Sequence, residues 1–269
     1  MRISLESCWA KMDRAKEHRD ILDRYVRDTF SIDTNRPRLG IKFNVDSGQH
    51  VLYVTRVPDL DLFLKRVGLC LGDILHNFRS ALDHLTYELA LWHTGGHVSR
   101  PKRVQFPIAD NPSHFASARG DALREVHPDH QATIERFQPY HPISEGLSIG
   151  PEFHALALLR DLDNANKHRF LNPVLIVPTS LSAYRGNALT IVRVGVEQTL
   201  DWSKTITPLA RGTPVIRAIL PPNVSVVITE TTGSITPDIA LPEGWPVDYI
   251  IDRVGGLMVK VIGEFQLHL

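Results

Sequence analysis

One long amphipathic segment constrains the fold more than any other part of the chain: residues 71–91, LGDILHNFRSALDHLTYELAL. At about 100° per residue, its apolar side chains fall on one arc of a helix, and such an arc is buried in a globular protein. The apolar arc comprises Leu71, Ile74, Leu75, Phe78, Ala81, Leu82, Leu85 and Leu89. Other elements of the fold are therefore expected to cover this face.

The opposite arc of this helix has an unusual composition for a solvent-exposed face. Surface helices usually carry Lys and Glu there, whereas this arc has a single Glu and no Lys. Its members are Asp73, His76, Asn77, Arg79, Ser80, Asp83, His84, Tyr87 and Glu88. Groups of His, Asp, Arg and Asn are typical of functional sites, so the polar arc is the first candidate for one.

Composition excludes several classes of protein. The chain has 269 residues, enough for one large domain or two smaller ones. Thirty basic residues balance thirty acidic ones, so no net charge attracts the chain to nucleic acid or to an anionic membrane. No signal-peptide pattern opens the sequence, and no apolar run reaches the roughly 18–20 residues of a membrane span. The sequence therefore predicts a cytoplasmic protein without a membrane partner.

Apolar periodicity and turn residues predict a helical first part with one inserted hairpin. The predicted helices cover 4–30, about 60–92, a short segment from 113, 128–137 and 151–168. The hairpin covers about 41–57. Gly68 and Gly72 lie inside the long helix, where they mark either a break or a place where another backbone packs closely.

After residue 172, the sequence pattern changes from helical periodicity to short β-branched runs. Short β-branched runs alternate with Pro and Gly there and predict strands. These runs are 175–177, 189–196, 215–220 and 224–229. Residues 247–265 have a helical pattern, which Gly255 and Gly256 are expected to interrupt with a kink.

The predicted fold class is α+β, because strands do not alternate with helices along the chain. A helical, bundle-like core with the inserted hairpin is expected over 1–172. An antiparallel, β-rich part is expected over 173–269, either by itself or packed on the first part as one unit.

The sharpest candidate site on the polar arc is the pair Arg79 and His84, with the spacing Arg-x-x-x-x-His. On a helix these two positions are about 140° apart, so they can flank one concave site without stacking. Asp83 lies between them and can orient either side chain. His76 and Asn77 add donors and acceptors on the same side of the helix.

A second concentration of polar residues lies in the predicted helix that ends near residue 168. Asn164, Lys167 and His168 share one face, whereas leucines fill another. If the two helices share a core, their polar edges meet. We therefore expect these three residues to complete the pocket as substrate-binding groups.

These residue types suffice for metal-independent cleavage of RNA. A histidine with a near-neutral pKa can act as a general acid or base. A guanidinium or ammonium beside it can stabilise the charge that develops on phosphorus oxygens. RNA supplies its own nucleophile, the 2′-hydroxyl, so Asn and Ser are needed only to position it.

The segment HNFRSALDH resembles the motif of HEPN domains, in which Arg and His are separated by four to six residues on a helix. Arg79 and His84 are the matching positions. The resemblance implies a helical bundle, cleavage of RNA, two motifs that converge in a homodimer, and a toxin or defence context. The residue after Arg is commonly Asn in such domains, whereas this chain has Ser80. HNFRSALDHL together with NKHR also resembles uncharacterised bacterial proteins, which implies no activity.

The same residues have a structural interpretation. Arg79 and Asp83 are four residues apart and form an ordinary ion pair on a helix. His76 and His84 can hydrogen-bond to neighbouring loops. The alternative hypothesis is therefore a non-enzymatic binding or interaction protein with a structural polar cluster, whose β-rich part docks a partner.

A metal-dependent chemistry has less support in the sequence. Asp73 and His76 have the carboxylate-x-x-His spacing of metal sites in helical bundles, but the chain offers no second such pair. The sequence contains no His-Glu-x-x-His motif, Walker loop or dinucleotide-binding glycine motif. It therefore predicts neither a metal nor a cofactor.

Overall fold

The computed structural model describes residues 4–44, 49–141, 154–176, 180–185, 188–193, 209–218, 237–242 and 244–266. Six α-helices occur in these ranges. They are α1 (Glu6–Ser31), α2 (Asp61–His93), α3 (Pro112–Ala122), α4 (Pro128–Arg136), α5 (Ala155–His168) and α6 (Val247–Gln266). None of these helices combines the length and the apolarity that a bilayer span requires.

The long predicted helix is present as α2, and its apolar arc is buried as predicted. All eight side chains of that arc are at most 5% exposed. Burying such a leucine or phenylalanine contributes about 1.5–3 kcal/mol each, so this face is a main source of the stability of its surroundings. Asp59 accepts a hydrogen bond from the N–H of Asp61 and thereby helps to begin the helix.

The strands form three antiparallel sheets in the described ranges. The predicted hairpin consists of β1 (Arg38–Asn44) and β2 (Gln49–Arg56), whose connecting turn 45–48 lies outside the described residues. β6 (Pro214–Ala218) adds a third strand beside β2. Two further pairs, each antiparallel, are β3 (Val174–Ile176) with β7 (Asp238–Ala240), and β4 (Ser180–Arg185) with β5 (Ala188–Arg193).

The prediction of a β-rich part over 173–269 was wrong. The described strands of this range are only three to six residues long, and the range ends in the 20-residue helix α6. The predicted run 224–229 lies outside the described residues. In its coarser form the prediction holds, because the protein is mostly helical with small antiparallel sheets.

Helix α6 is not interrupted at the two consecutive glycines where the sequence predicted a kink. It runs without interruption through Gly255 and Gly256. The stripe Ile250, Val254, Met258, Val261 and Phe265 is fully buried, with spacings of three and four residues. Because this stripe is packed along the whole length of the helix, burial outweighs the low helix propensity of glycine.

Short helices begin at residues whose side chains accept a hydrogen bond from the first turn. Asn111 accepts from the N–H of His114 at the start of α3. His127 and His154 do the same for α4 and α5 through their Nδ1 atoms. Helix α5 begins at Ala155, later than the predicted start at Pro151, because His154 supplies this cap.

The chain divides into two compact units, whose segments alternate along the sequence. The first unit comprises Met1–Leu22, Gly68–Leu171 and Asp248–Leu269. The second comprises Asp23–Val67 and Asn172–Val247, and in it Phe63 packs against the rings of Tyr25 and Phe30 at centroid distances of 5.2 and 5.3 Å. The predicted division into 1–172 and 173–269 remains a prediction.

Candidate functional site

The polar arc of α2 lies against α5, the helix expected beside it. A side chain at Gly72 would overlap the amide group of Asn166, so α5 approaches α2 closely at this glycine. One turn later on α2, Nδ1 of His76 is 3.2 Å from Oδ1 of Asp163. From the first contact to the second, the residue number increases on α2, from 72 to 76, and decreases on α5, from 166 to 163. The two helices are therefore antiparallel here.

Asp163 is a buried carboxylate with two partners. Its side chain is 2% exposed, and Oδ2 is 2.6 Å from Nζ of Lys167 on the same helix. The other oxygen faces His76, whose side chain is 58% exposed. A buried charge is tolerated only when such partners compensate for its lost hydration, so His76 and Lys167 are required neighbours of Asp163.

Arg79 and Asp83 together hold the main chain at Phe106. Nη2 of Arg79 donates to the carbonyl of Phe106 at 2.8 Å and is 3.1 Å from Oδ1 of Asp83. The same carboxylate oxygen accepts from the N–H of Phe106 at 2.9 Å. These contacts attach the loop before α3 to the polar arc of α2.

Burial raises the pKa of the Asp83 carboxyl above its usual value. The positive charge of Arg79, the N–H of Phe106 and the ammonium of Lys167 act in the opposite direction. Burial thus favours the neutral carboxyl, whereas these partners favour the charged carboxylate.

A cleft of about 410 Å³ lies beside these contacts. It brings together four of the residues predicted as site residues, two from each helix: Arg79, Asp83, Asn164 and Lys167. Its other charged or imidazole-bearing lining residues are Asp110, His114, Asp121, Arg160 and Asp163. An apolar wall is formed by Phe106, Pro107, Ile108, Ala109, Ala118 and Ala122.

The other predicted site residues do not line this cleft. Among the described residues, the lining includes neither His84 nor His168. His84 is half-buried one turn before Glu88, and its positive form opposes the burial that raises the pKa of Glu88. His168 is exposed at the end of α5. Asn77 is nearly buried and donates to the carbonyl of Asp73 at 2.8 Å, within its own helix.

Asp163 and Arg160 are two of the lining residues that were not predicted as site residues. Asp163 follows Leu156 and Leu159 on the buried stripe of α5, and a carboxylate on such a stripe indicates a required partner. Arg160 donates to Asp110 and to Asp161 at 2.7 Å each. No spacing in the sequence indicates the pair with Asp110, because the two residues are far apart along the chain.

No group of three or more His, Cys, Asp or Glu side chains in the described part of the chain could hold a metal ion. Comparisons with family models, with curated proteins and with solved structures found no match to this chain.

Proposed function

We propose that the protein is a metal-independent ribonuclease of HEPN-like type, with a helical-bundle core. The observation that supports the proposal is the cleft in which Arg79, Asp83, Asn164 and Lys167 lie together. These residues come from two helices whose polar edges the sequence analysis expected to meet if the helices share a core. The homodimer and the toxin or defence context implied by the motif belong to the same proposal.

In this proposal, Arg79 and Lys167 stabilise the negative charge that develops on the phosphate during attack by the 2′-hydroxyl. Such charge stabilisation is often the largest single contribution to catalysis. Asp83 orients the guanidinium of Arg79 at 3.1 Å. His84 is the acid or base that the Arg-x4-His motif implies, while His76, Asn77, Asn164 and His168 bind the substrate.

The alternative is a non-enzymatic binding protein, and two observations favour it. Arg79 and Asp83 already hold both polar groups of the Phe106 peptide, which is a complete structural role. The cleft is lined by four carboxylates and three Arg or Lys cations, a poor balance for a polyanion. Such a cleft suits a small ligand that carries charges of both signs.

The test uses the purified full chain, mixed RNA and EDTA, so that bound metal makes no contribution. The wild type is expected to cleave RNA, and Arg79→Ala and His84→Ala are expected to lose at least about 100-fold in rate. His97→Ala, at an exposed loop position, is the matched control and is expected to cleave like the wild type. DNA of the same base composition, which lacks the 2′-hydroxyl, is expected to remain intact.

Equal cleavage by all variants, or none by the wild type, would contradict the ribonuclease proposal. The structural role of Arg79 is tested separately, by the stability of the same variant. Arg79→Ala leaves the Phe106 carbonyl and Asp83 without their partner, at a cost of about 2 kcal/mol in the free energy of unfolding. Urea denaturation measures this cost whether or not the wild type cleaves RNA.

A further inference from the structure

We infer that His76, which contacts a carboxylate of the cleft, is a catalytic residue, and that this buried carboxylate, Asp163, is its positioning residue. The inference rests on the proposed ribonuclease function, to which it adds a proton acceptor. Neither residue belongs to the Arg-x4-His motif. The observations that carry it are the contacts of Asp163, the exposure of His76 and the location of Lys167.

Asp163 holds the imidazole of His76 from a different helix. The 3.2 Å contact joins Oδ1 of Asp163 to Nδ1 of His76, across the close approach of α2 and α5. The carboxylate is 2% exposed, so water has little access to it while the imidazole is in place. The close packing of Asn166 on Gly72, one turn away, keeps the two helices at this separation.

This contact determines which ring nitrogen can accept a proton. A carboxylate accepts hydrogen bonds, so Nδ1 carries the hydrogen and Nε2 carries the lone pair. The side chain of His76 is 58% exposed, and a substrate therefore has access to it. A buried carboxylate that orients an accessible imidazole is an arrangement that recurs in general-base catalysis.

Lys167 gives the same location a positive charge. Its Nζ is 2.6 Å from the second oxygen of Asp163, and its side chain is 48% exposed. The carboxylate thus lies between the imidazole and the ammonium. Lys167 and Asp163 also line the cleft, and His76 and Lys167 contact the two oxygens of the same carboxylate.

His76 acts as the general base when the 2′-hydroxyl attacks phosphorus. Nε2 of the neutral imidazole takes the proton of the 2′-hydroxyl as the 2′-oxygen forms a bond to phosphorus. The bond between phosphorus and the 5′-oxygen breaks, and its electron pair stays on that oxygen, which takes a proton from protonated His84, the acid of the proposed function. His76 then returns its proton to solvent, and His84 regains one from it. The products are a 2′,3′-cyclic phosphate and a 5′-hydroxyl, and no metal or co-reactant is consumed.

The test measures kcat and KM of the full chain on a short fluorescent RNA in EDTA. His76→Asn is expected to lower kcat by at least about 100-fold with a much smaller change in KM, because proton transfer occurs only in the transition state. Asp163→Asn keeps an oxygen toward His76 but loses the charge, and kcat is expected to fall by about 10- to 100-fold, again with a much smaller change in KM. His97→Asn is the matched control and is expected to retain the kcat of the wild type.

The outcomes distinguish this inference from the proposed function. If the wild type cleaves RNA and His76→Asn has the same kcat, the role of His76 is rejected while the ribonuclease function stands. If the wild type cleaves nothing, both are rejected. His76 is more than half exposed, so its variant is expected to fold, and it decides the question even if Asp163→Asn unfolds.

Discussion

At the scale of single residues, the two carboxylates Asp163 and Asp83 have partners that explain their positions. Asp163 pairs with His76 and Lys167, and Asp83 pairs with Arg79 and the Phe106 peptide. The sequence suggested the pair Arg79 and Asp83 from its spacing alone. It could not reveal that the pair holds Phe106, because that contact joins segments separated by a loop.

His154 is a buried histidine whose neutral form stabilises the fold. Its Nδ1 accepts a hydrogen bond from the N–H of Leu156 at 3.1 Å, which requires an unprotonated nitrogen. Burial, with a smaller contribution from the positive charge of Arg253, lowers the pKa of His154 to about 4. The folded chain therefore binds this proton less readily than the unfolded chain does.

A decline of stability in mild acid is the expected consequence. The contribution of neutral His154 is fully present above pH ~6.5 and is lost as the pH falls from there to about 4, by up to ~3 kcal/mol. The variant His154→Asn keeps a capping acceptor but does not titrate. Urea denaturation of both proteins between pH 4 and 7.5 measures the difference, and a difference that does not change with pH would contradict the expectation.

At the scale of helices, both the apolar and the polar face of α2 contact other elements. The apolar arc is covered by elements that include α6, where Gly255 faces the ring of Phe78. A Cβ at Gly255 would lie 3.2 Å from Cζ of Phe78, closer than an ordinary contact. The glycine that the sequence suggested as a kink is instead the position at which a large side chain of α2 fits against α6.

Alanine at the two glycines of α6 is expected to have different effects. Gly256 is exposed with open space around it, so Gly256→Ala is expected to stabilise the protein by up to ~1 kcal/mol through helix propensity. Gly255→Ala gains the same propensity but presses on Phe78, and we expect it to be less stable than Gly256→Ala by about 1 kcal/mol or more. Chemical denaturation measures both.

A matched background isolates the contact. Replacing Phe78 by leucine removes the ring atom that the new methyl group would meet, so the difference between the two alanine variants is expected to disappear in Phe78→Leu. Phe78→Ala alone is expected to cost about 3–5 kcal/mol, because the side chain is 5% exposed. A cost well below 1 kcal/mol would reject the orientation of α2.

At the scale of the whole molecule, the two cysteines report which parts of the fold exclude solvent. Cys8 is completely buried, and Cys70 is partly exposed. Burial is the main cause that raises the pKa of the Cys8 thiol to about 12; the hydrogen bond with Ser7 acts in the opposite direction, and the carboxylate of Glu88 adds to the effect of burial. The thiolate that reacts with alkylating reagents is therefore scarce at Cys8 in the native state.

Thiol labelling at pH 8 is expected to modify one cysteine of the native chain quickly and both after unfolding. In Cys70→Ser, fast labelling of the native protein is expected to disappear, and the remaining reaction at Cys8 follows the opening of the structure. Mass spectrometry counts the labels. Rapid labelling of both thiols in the native wild type would show that Cys8 is not in a closed core.

The sequence by itself determined the helix α2 and the residues of its buried arc. Periodicity is a local property, and the entropy and burial that favour a helix act within a few turns. Periodicity predicted the 20-residue helix α6 less firmly, because two glycines obscured its pattern. Short strands were predicted less well, because their pairing depends on segments far away in the chain.

Only the tertiary structure decided which polar residues meet. Spacing fixed the angles of Arg79 and His84 on α2, but what lies opposite each angle depends on the elements packed there. Helix α5 and the loop at Phe106 cover Arg79 and form a cleft with it, whereas His84 lies outside that cleft, near Glu88. Asp163 lies on the buried stripe of α5 and contacts His76 of α2. Its place in the site was therefore also decided by the packing of the two helices.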